Sequence, residues 1–212
     1  MKPGPVAAQT TASPSRSVAK TIETHGCSIV LRRVEGPAAR EIFLHCQPAA
    51  DVADPGPQAA AMYRAILGAL EAEGGGLGSV VAETAFLRDL PSNLESVRAA
   101  RRTAFAACDA AGHHPATLEI GQPPLNERAC LEISIQALVP LGSPLQRSTV
   151  AAAPPCNCAE CANSRGLRIQ VGDEVRFHAG GLYGPGDGAY EQTLGMFGLA
   201  EKLLQRAGLG FR

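Results

Sequence analysis

The sequence predicts an α/β protein of the α+β kind, with a β-β-α-β-α-β unit followed by a partial second copy of that unit. Three observations carry the prediction. Residues 58–90, QAAAMYRAILGALEAEGGGLGSVVAETAFLRDL, pass from a helical pattern through a glycine break into a β-branched run. The segments 27–34 and 41–47 alternate like the arms of a hairpin, and so do 166–171 and 174–181. An offset of 134 lays Gln58 on Gln192, Met62 on Met196, Tyr63 on Phe197, Leu70 on Leu204 and Gly74 on Gly208.

Each element has a local reason. In the first helix Met62, Ile66 and Leu70 join Ala59, Tyr63 and Leu67 in one apolar stripe, leaving Arg64, Glu71 and Glu73 outside it. Gly74, Gly75 and Gly76 stop it, because glycine takes the left-handed cap conformation without steric penalty. Residues 79–88, SVVAETAFLR, are β-branched and too short for a helix, which predicts a strand covered on both faces. Ser92 and Glu95 have capping-box spacing and predict the start of a second helix, with Leu94, Val97, Arg101, Ala104, Phe105 and Cys108 recurring along it. On the face between them Arg98 and Arg102 are expected to meet solvent, as are His113 and His114 in the loop that follows. Residues 117–120 and 128–138 are the last two strands, the second alternating Leu131, Ile133 and Ile135 against Cys130, Glu132, Ser134 and Gln136.

The expected domain boundaries are a disordered tail at 1–24, a first unit at 25–140, a Pro- and Cys-containing linker at 141–165 and a partial second unit at 166–212. The tail lacks the apolar middle of a secretory signal; its basic residues before Glu23 leave a targeting peptide as the alternative. The second unit stops at the position equivalent to Gly78. It is therefore expected to lean on the first unit or on another chain, or to be part of a longer protein.

Composition narrows the function. A formal net charge of −1 gives no pull towards nucleic acid or anionic membrane. No apolar run approaches the ~20 residues of a membrane span. Seven cysteines, an odd number, argue for reduced thiols in a cytoplasm over a secreted disulfide framework. Three of them, Cys156, Cys158 and Cys161, lie within six residues. They are either three ligands of a zinc site completed by His178 or another chain, or a structural or redox-sensitive linker; no other cofactor is expected.

The order and wording of these motifs resemble the Rid family, long called YjgF, whose members are trimers of a chorismate-mutase-like fold. The likeness covers 27–140 and again 166–212. The family's Ser-Gly-Gln at the hairpin exit resembles His45-Cys46-Gln47 and, in the second copy, Ala179-Gly180-Gly181. Its helix-opening glutamine matches Gln58 and Gln192, and its closing strand after a proline resembles Pro123-Pro124 with Leu131-Glu132-Ile133. The resemblance implies a homo-oligomer, a trimer or trimer-like ring, with a cleft between subunits where small imines or enamines derived from amino acids are hydrolysed. It also implies that Glu132 places the water and that His45 and Gln47 stand at the ligand, although a strand histidine is also a common hydrogen-bonded structural group. The arginine that holds the substrate carboxylate in the family is Thr117 here, which carries no charge. On a regular strand Arg128 shares a face with Glu132 and could replace that charge, or serve as a surface ion-pair partner. A tandem pair also resembles the chorismatases, hydrolases of an enolpyruvyl ether, and a non-catalytic scaffold is the reading from a different class.

Overall fold

The computed structural model describes residues 17–48, 54–108, 113–151, 165–184 and 187–211. The first unit is a six-stranded sheet with two helices on one face. Its elements are β1 (Ser17–Thr24), β2 (Cys27–Glu35), β3 (Ala39–Pro48), α1 (Pro55–Glu71), β4 (Val80–Leu87), α2 (Leu90–Ala107), β5 (Ala116–Gly121) and β6 (Leu131–Pro140). The sheet order is β1-β2-β3-β6-β4-β5, antiparallel except for the β4–β5 pair, which α2 connects. After β1 the order is β-β-α-β-α-β-β, the expected chorismate-mutase-like unit with one more strand than its formula gives, because residues 116–121 and 131–140 form two separate strands.

The core forms where α1 covers β2, β3 and β6. Met62, Tyr63, Ile66 and Leu70 of the stripe are all buried against Ile29, Leu31, Ile42, Leu44 and Ile133. Asp54 caps α1 by accepting from the Gly56 N–H at 3.0 Å. Buried Gln58 explains why a glutamine opens the helix: its Oε1 accepts from the N–H groups of Cys130 and Leu131 at 2.9 and 3.1 Å and fixes the start of β6. Glu73, expected outside the stripe, is buried, because Lys20 and Arg33 pair with its carboxylate at 2.6 and 3.2 Å. The second helix starts earlier than the capping-box spacing suggests, at an Asp89 cap that accepts from the Ser92 N–H.

The second unit is β7 (Gln146–Ala151), β8 (Arg165–Val171), β9 (Glu174–Gly180) and α3 (Ala189–Arg206), in sheet order β7-β8-β9. Strand, strand, strand and helix thus recur. The helix recurs to the hydrogen bond: Gln58 N–H donates to Asp54 O and Gln192 N–H to Gly188 O; Gly75 N–H donates to Leu70 O and Leu209 N–H to Leu204 O. Gly74 and Gly208 both take positive φ, 80° and 73°. In both hairpins an arginine pairs with a phenylalanine, Arg32 with Phe43 and Arg168 with Phe177.

Two boundaries are corrected. Residues 17–24, read as tail, pair with β2 along their whole length, and residues 146–151, read as linker, pair with β8. Both are mostly exposed edge strands held by ladder hydrogen bonds, and in β1 Ile22 packs on the core while the rest of the strand is largely exposed, so neither shows the alternation that marks a strand in sequence.

The second unit leans on the sheet face of the first that has no helices. Leu167 and Ile169 of β8 pack on Val81 and Leu138. Arg176 of β9 pairs with Glu41 of β3 at 2.6 Å, while Gly180 abuts Ala116 and Thr117 of β5. Four residues of strand advance ~13 Å and three strand spacings measure ~14 Å, so β9 runs across the strands below it. Along α3, Tyr190, Leu194 and Phe197 are more than 60% exposed.

Candidate functional site

Antiparallel pairing sets His45 of β3 beside Ser134 of β6. Alternation then puts His45, Gln47, Glu132 and Ser134 on the face away from α1 and α2, beyond the area covered by β8 and β9. The four side chains make one network. Ser134 Oγ lies 2.9 Å from His45 Nδ1, Gln47 Nε2 lies 3.1 Å from His45 Nε2, and Gln47 donates to Glu132 Oε1 at 3.0 Å.

Glu132 is only 4% exposed. The loop before β6 bends back over it, so that the N–H groups of Leu125 and Asn126 donate to Oε1 at 2.7 and 3.4 Å. Arg88 holds that loop through the carbonyls of Ala129 and Asn126. Oε1 is thereby committed, while Oε2 faces His45 Nε2 at 3.5 Å. His45 keeps a third of its side chain open to solvent. A fixed carboxylate beside a partly open imidazole can orient a water and relay its proton. Sequence reasoning missed Ser134, although register would have found it: it sits between Glu132 and Gln136 on the polar side of β6, opposite the polar side of β3.

The other two expected ligand contacts lie elsewhere. Thr117 pairs with Glu83 in the parallel β4–β5 ladder, and Glu83 accepts from Tyr63 of α1 and Arg101 of α2. Thr117 is therefore on the helix-facing side, opposite Glu132, and its hydroxyl donates to Pro115 O at 3.1 Å. Arg128 does not share the face of Glu132, because β6 begins only at Leu131. Arg128 is exposed in the preceding turn, its N–H donating to Asn126 Oδ1. Cys156, Cys158 and Cys161 fall outside the described residues. Among the described residues no group of three His, Cys, Asp or Glu side chains is placed to hold a metal.

On the helix side, a cavity of about 530 Å³ opens between α2, β5 and the first residue of β8. Arg98 and Arg101 of α2 are drawn into ion pairs at its wall, while Arg102 lines it and is exposed, as expected. Arg98 pairs with Glu119 at 3.1 Å and Glu95 at 3.3 Å; Arg101 pairs with both Glu83 and Glu119 at 2.8 Å. Burial pulls the Glu119 carboxyl up, but the hydrogen bonds and charges of Arg98 and Arg101 outweigh it and hold that group below its ordinary range. His113 is likewise no solvated cap: its Nε2 bonds Val80 O at 2.6 Å and its ring lies 6.1 Å from that of Phe105. Burial lowers the pKa of both His113 and His114, the latter helped by Arg165 and Arg101.

Neither a protein-family model nor a curated protein matches the chain. Solved structures do match. A Salmonella typhimurium protein described as a proposed translation initiation inhibitor is 22% identical, with a TM-score of 0.46 over 58% of this chain and 97% of that one. A YjgF family member from Neisseria meningitidis is 23% identical, with a TM-score of 0.41 over 50% of this chain and 84% of that one. A Mycobacterium tuberculosis member of the YjgF/YER057c/UK114 family is 22% identical, with a TM-score of 0.36 over 52% and 84%. These are likenesses of fold at low identity and partial overlap, so the architecture is argued from the strand order and register above. Among the described residues no helix is long and apolar enough to cross a membrane.

Proposed function

We propose that the chain is a tandem Rid-like protein that binds and hydrolyses a small imine, enamine or related carboxylate metabolite at a cleft bordered by a neighbouring subunit. Glu132 is the observation that carries this reading, a buried carboxylate with one oxygen pinned by two backbone N–H groups and Gln47, and the other turned to His45. Glu132 orients a water for attack on the C=N carbon and takes its proton, which then passes to the departing nitrogen so that ammonia and a carbonyl product leave. Gln47 and His45 contact the ligand from β3. The partners of this reading are a small metabolite and further copies of the chain in a trimer or trimer-like ring. The cytoplasm is its compartment, supported by the free thiols of Cys27, Cys46, Cys108 and Cys130.

The test is hydrolysis of 2-aminoacrylate, with chorismate as a parallel substrate for the enolpyruvyl-ether alternative. Wild type is expected to be active on 2-aminoacrylate and Glu132→Ala to lose roughly 10²–10⁴-fold in rate. Inactive wild type removes the deaminase reading, and an unimpaired Glu132→Ala removes Glu132 from it. A second reading, a non-catalytic scaffold, is favoured by one contact: Gly180 of β9 sits against the Thr117 backbone, where the family places its carboxylate-binding arginine. Intact ring assembly with neither activity would support that reading.

A further inference from the structure

We propose that the cavity between α2, β5 and the start of β8 is a separate binding site for a small anionic metabolite, one that carries a carboxylate or phosphate on an apolar body. Its charge is unbalanced. Arg98 and Arg101 are answered by Glu83, Glu95 and Glu119, but the side chains of Arg102 and Arg165 also line the cavity and make no hydrogen bond or ion pair among the described residues. Two uncommitted guanidinium groups on different elements, α2 and β8, can grip one anion from two sides, each with the planar fork that carboxylate and phosphate oxygens fit. The wall between them is apolar, formed by Phe105, Pro115 and Ala116. At about 530 Å³ the space is of the size that small-metabolite sites occupy. Two free arginines in a chain of net charge −1 are too few to track a nucleic-acid backbone.

The histidines make the site pH-sensitive. His114 faces Arg165 and Arg101, and His113 faces Arg147 and His114, so both imidazoles are held neutral at neutral pH by burial and positive neighbours. A bound anion offsets those neighbours and favours the protonated ring, so affinity rises as pH falls towards and below the ordinary histidine value of 6.5.

Isothermal titration calorimetry at fixed ionic strength tests this with inorganic phosphate, with benzoate and with uncharged benzamide. Saturable binding of phosphate or benzoate is expected, the tighter arm identifying the anion class, with benzamide at least roughly tenfold weaker than benzoate. Arg102→Ala with Arg165→Ala is expected to weaken binding at least about tenfold with an unchanged melting temperature, because neither side chain holds another group. Glu132→Ala lies on the opposite sheet face and is expected to leave binding untouched, which separates this site from the proposed catalytic one. The proposal is overturned if neither anion saturates by about 10 mM, if benzamide binds as well as benzoate, if the double variant binds like wild type, or if Glu132→Ala abolishes binding.

Discussion

Tyr63 and Phe197 occupy equivalent positions of the repeated helix, so truncating each to alanine compares one aromatic ring in two environments. Tyr63 is 1% exposed, packs edge-on against Phe105 at 6.3 Å and donates to Glu83 Oε1 at 2.9 Å. Removing a buried aromatic costs ~3–5 kcal/mol. Phe197 is 61% exposed. With only two-fifths of its surface out of water, its full burial value of ~1.5–3 kcal/mol shrinks to ~0.6–1.2 kcal/mol. For a chain of this length 1 kcal/mol moves the melting temperature by ~2–4 °C, so Tyr63→Ala should fall by ~6–20 °C and Phe197→Ala by no more than ~5 °C. Tyr63→Phe isolates the hydroxyl, and losing that donor to a buried carboxylate should cost ~1.5–3 kcal/mol. Urea midpoints and thermal melts at several protein concentrations give all three values. Should Phe197→Ala lose as much as Tyr63→Ala, the face of α3 is covered in solution and the reasoning from its exposure is wrong.

Two further outcomes follow from the same geometry. A Cβ at Gly180 would stand 2.5 Å from the backbone N and O of Thr117, and backbone has no rotamer to escape into. Gly180→Ala should therefore cost ~1–3 kcal/mol and loosen β9 from β5, read as faster amide exchange along both strands; unchanged stability and exchange would show that the two units do not meet there. Stability should also fall in two stages on acidification. His113, His114 and His178 have pKa values below the ordinary 6.5 in the folded chain, through burial first and positive neighbours second, so the unfolded chain takes up protons first and stability drops as pH passes below that value. Glu73 and Glu119, buried yet held low by their arginine and lysine partners, contribute stability above the ordinary 4.5 that disappears as pH falls through their depressed values. Urea midpoints that stay flat between about pH 7.5 and pH 5 would contradict the histidine stage.

How much of this was legible depended on whether a residue's role is local. The stripe Met62, Ile66 and Leu70, the glycine stop at Gly74 and the recurrence at Gly208 are consequences of helical period and positive φ, and each appears where the pattern placed it. Edge strands β1 and β7 escaped because a strand paired on one side and largely exposed needs no regular apolar alternation. Arg98 and Glu73 look solvated in the sequence because their partners, Glu119 for Arg98 and Lys20 and Arg33 for Glu73, are distant along the chain; Arg101 lies on the stripe as expected, and its partners Glu83 and Glu119 are equally remote. The fold brings His45, Gln47 and Glu132, drawn from a resemblance plus strand parity, onto one face, whereas Thr117, drawn from the resemblance, and Arg128, drawn from an assumed regular strand, lie apart from them. One sits on the helix side of β5, and the other precedes the strand that was to carry it.

The polar side of β6 marks where the second unit ends on the first. Glu132, Ser134 and Gln136 alternate outward in turn, and the next outward position is Leu138, buried under Leu167 and Ile169. One strand thus changes from polar to apolar on a single face within six residues, because its far end lies under β8 while its near end does not. The network of His45, Gln47, Glu132 and Ser134 therefore stands at the rim of an interface. The imbalance between the units fits the same account. Among the described residues the first has two helices over six strands and the second one helix over three, and the second rests Leu167 and Ile169 on the first. Burying those two side chains is worth roughly 1.5–3 kcal/mol each, comparable with what Tyr190, Leu194 and Phe197 forgo by remaining exposed.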